Sequence, residues 1–158
     1  MKLKLTLLTL LTILGAAVCA FAATPTDFSG VWEFKPEKSQ NVGMMAQMKM
    51  TLSIQQSESS FDINSHANMQ GQDYDSKIHY DLTGKPTSNE APMSGSSETV
   101  SKWEGKKLVT TWTSAGAVAG SKVVRTETRT LSEDGKTMTV QSVRGTSSPL
   151  VMVFEKKQ

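Results

Sequence analysis

The chain has 158 residues, with 17 Lys and Arg against 15 Asp and Glu, a formal net charge of +2, two His and one Cys. This length suits one domain. The charge balance lacks the basic excess that phosphate contacts demand, which argues against a nucleic-acid binder, and a single cysteine leaves no disulfide within the chain.

Lys2 and Lys4 open the sequence, residues 5–18 are apolar or small apart from threonines, and Ala20-Phe21-Ala22 follows. A positive start, a short apolar run and an A-x-A site form a secretory signal peptide. The run is shorter than the ~20 residues that span a bilayer. The expected organisation is a signal peptide over residues 1–22 and one exported domain over 23–158, periplasmic or extracellular, with no membrane span. Cys19 has Val18 before it, where a lipidation site wants a small residue. Cleavage after Ala22 therefore removes the cysteine, together with Lys2 and Lys4, and leaves a domain with no net formal charge.

Beyond the leader, apolar residues alternate with polar ones at period two, the mark of strands with one buried face. Residues 30–34 form the first such segment. Residues 36–48 hold at most one or two helical turns. Met48, Met50, Leu52 and Ile54 share a face of the next strand, Phe61, Ile63 and Ala67 of the one after, and Tyr74, Ile78, Tyr80 and Leu82 of a fourth. Gly84-Lys85-Pro86 reads as a turn. Strands over 97–103 and 107–114 flank Gly105, and one over 123–131 leads to Asp134-Gly135, a hairpin tip. Segments 137–144 and 150–155 close the chain. About nine short antiparallel strands in one domain predict a barrel or a sandwich.

The stretch Asp27-Phe28-Ser29-Gly30-Val31-Trp32-Glu33-Phe34 resembles the Gly-x-Trp opening of the calycins, the lipocalin and fatty-acid-binding superfamily. Lys35-Pro36-Glu37-Lys38-Ser39 and the closing segments 131–140 and 151–156 look like small exported bacterial lipocalin-like proteins. The resemblance implies an all-β fold, a single up-and-down antiparallel barrel of about eight to ten strands. In it Gly30 and Trp32 are structural, with the tryptophan closing the barrel floor under a basic partner. Arg129 and Arg144 both qualify as that partner. The mid-chain motif of lipocalins has no clear counterpart here.

Arg125, Glu127 and Arg129 share one face of their strand. Turned inward, two guanidiniums around a carboxylate make an anion site, because buried charges need partners and Arg presents a planar fork to carboxylates. Turned outward, they form a surface charge ladder, with Val124, Thr126, Thr128 and Thr130 inside. Arg144 follows Met138 and Val140 on a face that reads as buried. Trp112 and Tyr80 join the candidate lining of an apolar pocket, or of an ordinary core.

Met44, Met45, Met48 and Met50 crowd one stretch. Thioethers suit copper(I), but no His or Cys adjoins them, and the segment reads as a lid or core filler. His66 and His79 fall on the polar phase of their strands. No metal-ligand spacing, nucleotide loop or nucleophile elbow occurs. The expected function is non-enzymatic and needs no cofactor: a monomer that holds a small hydrophobic or amphipathic, acidic-headed molecule inside the barrel through Arg125, Arg129, Arg144, Trp112 and Tyr80. The competing expectation is a structural domain whose barrel is filled by side chains.

Overall fold

The structure, a computed structural model, describes residues 25–91 and 95–158. The signal peptide expected over residues 1–22, and Cys19 with it, lies outside the described residues. The chain forms ten strands: β1 (Gly30–Phe34), β2 (Lys49–Gln56), β3 (Ser60–Met69), β4 (Gln72–Asp81), β5 (Thr87–Ala91), β6 (Gly95–Glu104), β7 (Lys107–Ala115), β8 (Lys122–Leu131), β9 (Thr137–Arg144) and β10 (Leu150–Lys156). Two short 3-10 turns, Pro36–Lys38 and Gly43–Gln47, fill the β1–β2 connection. Among the described residues no helix is long and apolar enough to cross a membrane.

The strands make one antiparallel sheet in the order β4-β3-β2-β1-β10-β9-β8-β7-β6-β5. Every neighbour but one is also a neighbour in sequence. The exception is β1, which pairs with β10 as well as β2, and this contact joins the two ends of the chain. The sheet curls so that its end strands, β4 and β5, meet edge to edge. There the join is made by side chains: Asn89 Nδ2 donates to the His79 carbonyl at 2.8 Å, Asn89 Oδ1 accepts from the His79 N–H at 2.8 Å, and Thr87 Oγ1 donates to the same carbonyl at 2.9 Å. One amide thus reproduces, across the seam, the donor and acceptor of a missing ladder residue. Up-and-down closure in this form leaves little free edge, which suppresses edge-to-edge aggregation.

Nine of the ten strands coincide with segments of period-two alternation. β5 was not among those segments, because Thr87-Ser88-Asn89-Glu90-Ala91 carries no apolar alternation. It is fixed instead by pairing with β6, Thr87 opposite Thr99 and Asn89 opposite Ser97.

The two ends of the barrel are built differently, a plugged floor and a mouth. At the plugged end the segment before β1 folds under the floor. Phe28 is fully buried, edge-on to Phe61 with centroids 5.9 Å apart and stacked on Trp103 at 6.2 Å. Gln56 ties the segment down, accepting from the Phe28 N–H at 3.1 Å and donating to the Thr26 carbonyl at 2.8 Å. Trp32, also fully buried, donates from Nε1 to the Phe28 carbonyl at 2.8 Å. Its cationic neighbour is neither Arg129 nor Arg144 but Lys156, whose Nζ lies 5.3 Å from the ring centroid. The register explains this, since Lys156 sits directly opposite Trp32 on β10. Gly30 has φ +129°, and a Cβ there would lie 2.7 Å from Lys156 Cε. The glycine of the Gly-x-Trp opening thus admits the lysine stem that covers the tryptophan. At the mouth stand the 3-10 turns and the β3–β4, β7–β8 and β9–β10 turns.

Candidate ligand-binding site

Strand β8 supplies the charges. Glu127 and Arg129 are buried at 6% and 5% exposure, and Arg125 is half-buried, while Val124 on the opposite phase is 50% exposed. The charged face therefore turns into the lumen and the Val124 phase turns to solvent. Neighbouring strands complete three tiers across the wall. Nearest the floor, Arg129 lies between Leu108 and Val140. Above it Glu127 lies between Thr110 and Ser142. Nearest the mouth Arg125 lies between Trp112 and Arg144.

The lowest tier is filled. Arg129 Nη1 forms an ion pair with Glu127 Oε1. The guanidinium reaches across the lumen to the far wall, 5.3 Å from the Tyr80 ring centroid and 5.6 Å from that of Phe61. The Tyr80 hydroxyl donates to Glu127 Oε1 at 3.4 Å. Tyr80 stacks on Phe61 at 5.9 Å and stands edge-on to Trp112 at 5.9 Å. Burial, reinforced by the Glu127 charge, pushes the Tyr80 phenol well above its ordinary range. Burial also works against the Arg129 charge, but Glu127 and Tyr80 outweigh it and raise its pKa. This tier is a neutral pair inside an aromatic box.

The upper tier is differently built. The Arg125 guanidinium lies over Trp112, its Cζ 4.5 Å from the ring centroid. Trp112 is 5% exposed, and its Nε1 donor has no partner; Arg129 Nε likewise lacks one. Arg144, at the end of β9, is exposed at the rim, whereas its face read as buried in sequence; the strand simply runs past the covered part of the barrel. On the β5–β7 wall the tier is lined by small buried polar groups. Asn89 Nδ2 donates to Thr99 Oγ1 at 2.7 Å, and one tier lower, beside Glu127, Ser101 and Thr110 share a hydroxyl hydrogen bond of 2.8 Å. These hydroxyls went unnoticed in the sequence because Ser and Thr on an inner phase look like any polar strand position.

The structure thus brings Tyr80, Trp112, Arg125 and Arg129 into one lumen and leaves Arg144 at its rim. Two concavities of about 330 Å³ lie elsewhere. One is lined mainly by the outer face of β2, β3 and β4, including Thr51, Asn64, His66 and Asp75, and the other by the mouth ends of β6, β7 and β8. His66 and His79 do face solvent, bonded to Asp75 at 2.8 Å and Asp62 at 2.7 Å. Among the described residues no cluster of three His, Cys, Asp or Glu is placed to hold a metal. Met44 is 74% exposed, while Met45 and Met50 pack against the core.

No family model and no curated protein matches the sequence. Solved structures do match. Fatty-acid-binding protein 1 of Echinococcus granulosus superposes with a TM-score of 0.64 at 13% identity, over 83% of this chain and 98% of that one. Lipid binding protein 8 of Caenorhabditis elegans gives 0.63 at 15%, over 82% and 95%. A secretory abundant heat soluble protein from Ramazzottius varieornatus gives 0.61 at 12%, over 85% and 98%. With the up-and-down strand order and the Gly30-x-Trp32 opening, these likenesses show the fold: the chain is a calycin-type β-barrel of ten strands.

Proposed function

We propose that this protein is a non-enzymatic carrier of a small apolar or amphipathic molecule with an acidic head, working as a monomer outside the cytoplasm. The observation that carries the reading is the buried, unpartnered donor of the upper lumen, Trp112 Nε1. A buried donor without a partner costs ~1–3 kcal/mol, and an acceptor on a bound molecule removes that cost. Arg125 and Arg144 supply positive charge there, Arg129 being paired with Glu127 below them, and Trp112 and Tyr80 supply apolar surface. Binding proteins of similar fold include one titled a fatty acid transporter and one solved with arachidonic acid. Export rests on the leader over residues 1–22.

A second reading has an observation of its own. Phe28, Phe61, Tyr80, Trp112 and Arg129 interlock across the lower lumen, as they would in a structural domain with a filled barrel. The ligand of the first reading therefore occupies the upper lumen and the mouth. Native mass spectrometry of the purified protein separates the two. The expected result is retained or added mass with members of a panel of fatty acids and aromatic acids. Unchanged mass across the panel selects the filled barrel.

A further inference from the structure

The three arginines of the lumen are not equivalent. The charge of Arg129 is already matched by Glu127. Arg125 and Arg144 have no carboxylate within ion-pair distance among the described residues, yet they stand directly opposite each other on β8 and β9, on one face. Directly opposed side chains on antiparallel strands are ~4.5–5.5 Å apart at Cβ, and like charges in that position repel. The same tier holds Trp112, whose buried Nε1 is unpartnered. The Arg125 guanidinium lies over the indole ring, and a guanidinium carries five N–H donors. Two cations without a carboxylate partner and one neutral donor therefore share one tier, the one nearest the mouth.

From this we propose that the head group taken at the mouth carries two negative charges, as a phosphate monoester on an apolar body does. The inference rests on the ligand-binding reading above and narrows it. A monocarboxylate neutralises one of the two arginines and leaves the other repelled. A phosphate dianion bridges both guanidiniums and has a third oxygen left for the Trp112 N–H. Arginine is suited to such contacts because its fork matches phosphate oxygens in pairs.

Isothermal titration of the purified protein with dodecyl phosphate, dodecanoate and inorganic phosphate tests this. Dodecyl phosphate is expected to bind at least ~10-fold tighter than dodecanoate and than inorganic phosphate. Its affinity is expected to rise with pH through the second phosphate ionisation, near ~6, because guanidiniums keep their charge over this range. Arg125→Gln and Arg144→Gln should each abolish the advantage over dodecanoate. Equal binding of dodecyl phosphate and dodecanoate overturns the dianion while leaving the carrier reading intact. Equal binding of inorganic phosphate overturns the apolar body. Binding of neither amphiphile overturns the carrier reading and this inference together. One readout needs no ligand: Arg144→Gln should raise the urea midpoint of the unliganded protein by lifting the repulsion. A lowered midpoint shows that Arg144 has a partner of its own and overturns the site.

Discussion

Glu127 and Arg129 show how a buried charge changes the value of its neighbour. Both are almost fully buried, and each is the other's compensation. Removing one partner of such a pair typically costs ~3–5 kcal/mol, whereas replacing both by apolar groups of similar size is often neutral. Glu127→Gln is thus expected to destabilise by ~3 kcal/mol, with Glu127→Gln/Arg129→Met recovering most of the loss, both read by urea unfolding. A double variant no more stable than Glu127→Gln would show that the far-wall contacts of Arg129, and not the ion pair, dominate. At the surface, the hydrogen bond to Asp75 raises the pKa of His66, helped by the Asp75 and Asp73 charges. A raised folded-state pKa means that stabilisation is fully present below the unfolded value of ~6.5 and fades as pH rises through the folded one. His66→Gln should flatten this limb of stability against pH in urea titrations, leaving the acid limb unchanged. Both histidines could be placed from sequence, because each lies on the polar phase of a strand whose alternation is clear. The Lys156 cover of Trp32 could not, since strand register alone sets it opposite.

At the level of elements, the weakest join is β4 to β5. Elsewhere the barrel is held by backbone ladders, but this seam depends on the Asn89 amide and the Thr87 hydroxyl. Asn89 is buried at 5% exposure, and its loss removes the partner of the His79 N–H. Asn89→Ala should cost ~1–3 kcal/mol and speed amide exchange at His79 more than at residues of the β2–β3 ladder. Exchange that remains uniform would mean that the seam is held by packing. The element that the sequence concealed is the one at this seam. A polar strand lacks hydrophobic periodicity, and β5 exists because β6 offers it a partner. The long, alternating strands were legible because burying one face of a sheet requires that pattern.

Over the whole molecule, the floor and the mouth divide the work. The floor is packed by Phe28, Trp32, Phe61 and Trp103, and it is sealed by residues that precede the first strand. Phe28→Ala opens this plug. Truncating a buried phenylalanine costs ~3–5 kcal/mol, so the thermal midpoint should fall sharply, with a rise in binding of an apolar dye. A variant that keeps its midpoint would mean that the floor is closed by Trp32 alone. At the mouth Arg125 and Arg144 stand opposite each other, with no carboxylate within ion-pair distance among the described residues. By itself, the sequence determined the strand periodicity, the barrel class, the Gly30-x-Trp32 opening and the outward histidines, because each follows from local alternation or from a short contiguous motif. Only the tertiary structure decided which face of β8 lines the lumen, that Arg129 is neutralised while Arg125 and Arg144 are not, and that Lys156 covers Trp32. These outcomes depend on register and on closure of the sheet, which bring together residues far apart in the chain, and period-two alternation is the same whichever strand lies alongside.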